Sequence, residues 1–124
     1  MVPGLGYTSD LSGWAAHKPT DSTGNTAASL HLYNFNGCTD TTCFDMRYKP
    51  LSQTVPIITG ENGENDCAHG FVDTYMTWAD GLGISYLGWA WNPYGCGSFP
   101  ALVSDYKGTP TAFGQGLMAH LQSL

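Results

Sequence analysis

The segment from Val55 to Cys67, with the sequence VPIITGENGENDC, constrains the fold more than any other part of the chain. Its first four residues, Val55 to Ile58, form an apolar run of the length expected for a short buried strand. Thr59 and Gly60 end this run, and a polar segment follows. Because functional side chains of parallel sheets lie beyond the carboxyl ends of the strands, we interpret Glu61 as a candidate nucleophile positioned by a buried strand.

The glycines around Glu61 predict a sharp turn in the backbone. Gly60 and Gly63 bracket the carboxylate, and glycine adopts turn conformations at little cost. On its own, such a segment is equally consistent with a turn that carries solvated charges. A second carboxylate, Glu64, follows; we favour a structural role for it, in a salt bridge or as a cap of the next helix near Asp66, over a catalytic one.

Two further apolar runs end in functional groups in the same way. The first runs from Ala27 to Asn36 and the second from Ile84 to Asn92. In the first run, Leu30, Leu32 and Phe35 are the candidates for packing in the core, because side chains alternate between the two faces of a strand. The candidate site residues at the ends of the two runs are His31, Tyr33, Asn34, Trp89, Trp91 and Asn92.

Helical patterns alternate with these strands, which predicts a parallel sheet. Phe44 to Gln53 is a short helical segment, and apolar residues recur at helical spacing from Ala68 to Leu82, where Asp66 can cap the start. A closing helix is predicted from Thr111 to Leu124. Met1 to Gly6 has the character of the tail of another strand.

The charge balance argues against a nucleic-acid partner. The net charge is −6, and four Lys and Arg residues are too few to neutralise a phosphate backbone. Aromatic residues make up 13% of the chain and charged residues 11%, a balance that is compatible with a neutral polymer such as a polysaccharide. No apolar run is long enough to span a membrane, so we expect no membrane partner.

Four cysteines predict disulfides and an oxidising compartment. Cys38 and Cys43 can close a small loop after one strand, and Cys67 and Cys96 follow the ends of two strands that would be neighbours. We therefore predict these two pairs. A zinc site is the less favoured alternative because the spacings are scattered, so we expect no metal or other cofactor. Export would require a signal outside this chain.

The strand endings together resemble glycoside hydrolase family 5, the cellulase family of retaining (β/α)8 barrels. The motifs HLYNFN from His31, PIITGENGE from Pro56 and GWAWNPYG from Gly88 match the sixth, seventh and eighth strands of the family in order and spacing. PGLGYTSDLSGW, from Pro3, matches the end of the fifth strand. The resemblance implies an α/β fold: the C-terminal half of a TIM barrel, from about the end of strand 5 to helix 8, with outer helices around parallel strands.

The resemblance also implies roles for individual residues. Glu61 matches the nucleophile, and His31 and Tyr33 match the pair that lines the catalytic subsite. Trp89 matches the aromatic platform under the sugar, although Trp91 is an alternative on the same side of the predicted strand. The implied ligand is a β-glucan or a cello-oligosaccharide, and the implied activity is that of a retaining endo-β-1,4-glucanase.

The chain departs from the family in one respect that affects catalysis. Retaining enzymes need a second carboxylate as acid and base, which this family supplies from an Asn-Glu pair after the fourth strand. No such pair occurs upstream of Gly60. With 124 residues against roughly 250 for a full barrel, we expect a single half-barrel domain over residues 1–124 with weak or no hydrolysis. We also expect a homo-oligomer, most simply a dimer that completes a barrel and so covers the open sheet. The alternative is a half barrel that only binds carbohydrate or serves as a folding and assembly fragment.

Overall fold

A computed structural model describes residues 1–124 and shows one parallel sheet of four strands in chain order. The strands are β1 (Val2–Pro3), β2 (Ala28–Tyr33), β3 (Ile57–Gly63) and β4 (Ser85–Gly88). Every neighbouring pair is parallel, as the alternation of strands and helices predicts. The helical segments that alternate with them are α1 (Leu5–Thr8), α2 (Trp14–His17), α3 (Thr41–Arg47), α4 (Lys49–Ser52), α5 (Gly70–Asp80) and α6 (Ala112–Gln122). α1 is a single turn within the loop after β1, and its Gly6 and Tyr7 have non-helical backbone angles.

Helices cover one face of the sheet, and the polar side chains of β2 lie on the other face. Ala28, Leu30 and Leu32 on β2 are fully buried, and aromatic residues of α3 and α5 pack in the same core. Phe44 on α3, for example, contacts Tyr75 on α5 with ring centroids 5.3 Å apart. Because these residues alternate with Ser29, His31 and Tyr33, the polar groups lie on the opposite face of β2.

Phe35 is not part of this core, contrary to the sequence prediction. β2 ends at Tyr33, so the alternation of faces stops before Phe35 is reached. The Phe35 side chain is 51% exposed, and its ring stacks on Tyr33 at a centroid distance of 4.9 Å and an angle of 8°.

β3 is longer than the sequence suggests, and Glu61 lies within it. The strand continues to Gly63 because β2 pairs with it along its whole length, with a register shift between Leu30 and His31. Neither Gly60 nor Gly63 has a positive φ, so the predicted sharp turn is absent. Gly63 instead allows a close approach, since a Cβ there would lie 2.7 Å from the Trp89 carbonyl oxygen.

Glu64, not Asp66, caps the helix that follows β3. α5 begins at Gly70, and the Glu64 Oε2 accepts a hydrogen bond of 2.9 Å from the Val72 amide in its first turn. Asp66 accepts a hydrogen bond from the Ala68 amide instead, before the helix starts. Glu64 is 1% exposed, and burial raises the pKa of its carboxyl although the Val72 amide opposes this. The contact with α5 fits the structural role favoured for Glu64.

Both predicted disulfides are present. Cys38–Cys43 joins the turn before α3 to the first turn of that helix. Cys67–Cys96 joins the segment after β3 to the segment after β4. The second disulfide therefore links two loops at the end of the sheet where the candidate site residues gather. None of the helices combines the length and the apolar character needed to span a membrane.

Candidate active site

The carboxyl ends of the four strands surround an open cavity of about 640 Å³. Each strand or the loop that follows it contributes to the lining. Tyr7 comes from the loop after β1, Tyr33 from β2, Glu61 from β3 and Trp89 from the segment after β4. The cavity thus unites residues that are 82 positions apart in the sequence, from Tyr7 to Trp89, because parallel strands bring their carboxyl ends to one edge.

Glu61 is held by two neighbours on β2. The Tyr33 hydroxyl donates a short hydrogen bond to the Glu61 Oε2, and the His31 Nδ1 lies 3.3 Å from the same oxygen. Residue pairing explains this arrangement, since His31 is the direct partner of Glu61 in the parallel ladder. Both contacts use one carboxylate oxygen, which leaves the other oxygen for a group in the cavity.

Tyr33 is a hydrogen-bond donor, and its surroundings keep its hydroxyl protonated. Burial and the adjacent Glu61 carboxylate raise the pKa of Tyr33. The hydroxyl therefore stays protonated at neutral pH and orients the carboxylate. Phe35 stacks on the Tyr33 ring, and Trp89 meets the same ring edge to face at a centroid distance of 6.3 Å. This packing restricts the position of the hydroxyl.

Trp89 and Trp91 occupy different environments, although the sequence placed them on the same side of one strand. β4 ends at Gly88, so strand alternation does not extend to either tryptophan. Trp89 lines the cavity and contacts Phe99 at a centroid distance of 5.2 Å. Trp91 is 66% exposed and lies outside the cavity, beside Gly108.

The two asparagines among the candidate site residues, Asn34 and Asn92, make other contacts in the structure. The Asn34 Oδ1 accepts a hydrogen bond from the Asn65 amide at 3.2 Å, which connects the ends of β2 and β3. The Asn92 Oδ1 lies 3.4 Å from the Tyr106 hydroxyl. Neither asparagine lines the cavity. Tyr7, Phe35 and Phe99 do line it, and sequence analysis missed them because they lie in irregular loops, where strand periodicity gives no signal.

Glu61 is the single carboxylate among the residues that line the cavity. Glu64 is nearest to it in sequence among the other acids, but its side chain is buried and bonded to α5. No group of three or more His, Cys, Asp or Glu side chains is arranged to hold a metal ion.

Comparison with known proteins identifies the family. The family model described as Cellulase (glycosyl hydrolase family 5) matches residues 1–95, and the chain therefore belongs to this family. No curated protein matches the sequence. Among solved structures, the chain is similar to a β-glucanase from Saccharophagus degradans in complex with cellotetraose, at 17% sequence identity and a TM-score of 0.78. The native form of that enzyme gives 18% identity and a TM-score of 0.76.

These structural matches cover 98% of this chain and 40% of the β-glucanase chain. The chain thus spans less than half the length of the proteins whose fold it shares. Its four parallel strands and surrounding helices correspond to part of a (β/α)8 barrel, which confirms the predicted fold class.

Proposed function

We propose that this chain is the part of a retaining β-glucanase that carries the catalytic nucleophile, Glu61. One observation supports this most strongly: Tyr33 and His31 contact the Glu61 carboxylate at the edge of a cavity that Trp89 also lines. A carboxylate beside an aromatic ring suits a pyranose, whose C–H face packs on the ring while its anomeric carbon meets the carboxylate.

In the proposed reaction, the unengaged oxygen of Glu61 attacks the anomeric carbon as the glycosidic C–O bond breaks. Tyr33 donates to the other oxygen and keeps the carboxylate oriented during the attack. Trp89 is the platform beneath the sugar. The cellotetraose bound by the similar β-glucanase supports a cello-oligosaccharide as ligand and endo-β-1,4-glucanase-type chemistry.

The leaving oxygen has no proton donor in this cavity. A retaining enzyme needs a second carboxyl group about 5 Å from the nucleophile, whereas Glu61 is the single carboxylate in the lining. General acid catalysis contributes about 10²–10⁴-fold to such reactions. We therefore expect very weak hydrolysis of natural glucans by the 124-residue chain alone.

The alternative function is carbohydrate binding without turnover, which the aromatic lining of the cavity also supports. Both functions require Trp89 as the platform under the sugar. A pair of variants, one at Trp89 and one at Trp91, tests this assignment. We expect Trp89→Ala to weaken cellotetraose binding at least tenfold, because the sugar loses its stacking partner. Trp91→Ala removes an exposed ring outside the cavity and should change the affinity less than twofold. Isothermal titration of both variants decides this; equal losses would contradict the assignment of the platform.

We also propose that the protein is secreted and that a second copy covers its open sheet. Two disulfides fit an oxidising extracellular environment. β1 and β4 are edge strands, and Leu87 on β4 is 54% exposed, which favours association over an isolated sheet. Light scattering of the purified chain should give the mass of a homodimer. A well-folded monomer at micromolar concentration would contradict this proposal.

A further inference from the structure

The loop after β1 holds an aromatic side chain at the mouth of the cavity in a defined conformation. Two backbone hydrogen bonds between Leu5 and Asp10, of 2.9 and 3.0 Å, close this loop. The Ser9 hydroxyl donates a further hydrogen bond of 2.6 Å to the Gly6 carbonyl oxygen. Between these closing contacts the chain projects Tyr7, which lines the cavity.

The backbone at Tyr7 is strained, and the fold gains nothing from its ring. Gly6, Tyr7 and Thr8 all have positive φ, with values of 56°, 56° and 70°. Glycine adopts this conformation without steric cost, whereas a side chain with a Cβ does not. The Tyr7 side chain is 99% exposed, so its burial does not offset the strain. A strained, exposed aromatic residue at a cavity points to a role in binding.

The position of Tyr7 relative to Trp89 defines that role. Tyr7 follows β1 and Trp89 follows β4, so they contribute from opposite ends of the four-stranded sheet, with Glu61 on β3 between them. Neighbouring strands lie about 4.8 Å apart, which places the two outer strands roughly 14 Å from one another. A pyranose is about as wide as one strand spacing, so a glucan chain of several units can extend from Trp89 towards Tyr7.

We propose that Tyr7 is a second sugar platform, which stacks on a more distant unit of the same glucan chain. This inference rests on the proposed function and extends it to substrate length. The cavity then selects an oligosaccharide of three or more units over a disaccharide. Tyr7 fits this task because the hydrogen bonds of the closed loop hold its backbone in place, so little backbone freedom is lost on binding.

Isothermal titration with cellobiose and cellotetraose tests the proposal on the Tyr7→Gly variant. We expect cellotetraose affinity to fall about tenfold and cellobiose affinity to change less than twofold, because only the longer ligand reaches the loop. Tyr7→Phe should retain cellotetraose affinity, since the ring face remains. The matched control is Tyr106→Ala, which removes another exposed tyrosine outside the cavity and should leave both affinities unchanged.

The melting temperature gives a second measurement. A structural role for the Tyr7 ring would lower it in the Tyr7→Gly variant, whereas the proposed binding role predicts a rise. Glycine relieves the positive φ, so Tyr7→Gly should raise the melting temperature by roughly 2–5 °C. A lower melting temperature, or unchanged cellotetraose affinity, would overturn the role of Tyr7 while leaving the Trp89 platform intact. If the wild-type protein binds neither sugar, the proposed function fails, and the second platform fails with it.

Discussion

Gly114→Ala is expected to destabilise the protein by about 3 kcal/mol, because an added methyl group has no space there. A Cβ at Gly114 would lie 2.0 Å from the Leu102 carbonyl oxygen, a backbone atom that cannot rotate away. α6 would have to move away from the small core in which its Phe113 packs with Val72, Met76, Leu102 and Val103. The Leu102 amide also donates to the Ala90 carbonyl oxygen, so the displacement reaches the segment that carries Trp89.

Gly70→Ala is the matched control for this prediction. Gly70 is the first residue of α5, and an added Cβ would meet no atom within 4 Å. Alanine restricts the unfolded chain more than glycine does, so this variant should gain about 0.5 kcal/mol. Urea unfolding midpoints of the two variants and the wild type give the comparison. A Gly114→Ala midpoint within error of the wild type would contradict the close packing of α6.

The order of strands and helices could be predicted from the sequence because each signal is local. Apolar runs with carboxylates or aromatic residues at their ends predicted three of the four strands and their common direction. The cysteine pairs followed from the same order, since Cys67 and Cys96 come after neighbouring strands. The contact between Tyr33 and Glu61 depends on the register of adjacent strands, which the motifs indicate but do not fix.

The features that sequence analysis missed depend on contacts between distant segments. β3 extends to Gly63 because β2 pairs with it, and nothing within the glycine-rich segment itself indicates this. Asp66 does not cap α5, because β3 delivers the buried Glu64 carboxylate to the first turn of the helix instead. Tyr7 shows a similar limit, since its exposure and its positive φ are properties of a closed loop and not of any periodic pattern.

Covalent trapping tests the central assignment, that Glu61 is a nucleophile in a cavity without an acid. We expect 2,4-dinitrophenyl 2-deoxy-2-fluoro-β-cellobioside to label this residue. The bond from the anomeric carbon to the aryl oxygen breaks, the dinitrophenolate leaves without a proton, and a glycosyl ester forms on the carboxylate. The fluorine destabilises the positively charged transition state for hydrolysis of that ester, so the adduct persists. Cellotetraose needs a protonated leaving group and should remain intact under the same conditions.

Peptide mass spectrometry after this labelling is the most direct measurement. The account predicts one added fluorocellobiosyl group on the peptide that contains Glu61, its absence in Glu61→Gln, and its retention in Glu64→Gln, where the amide oxygen can still accept from Val72. A label that persists in Glu61→Gln, or an unlabelled wild-type chain that nonetheless binds cellotetraose, would contradict the assignment of Glu61 as the nucleophile.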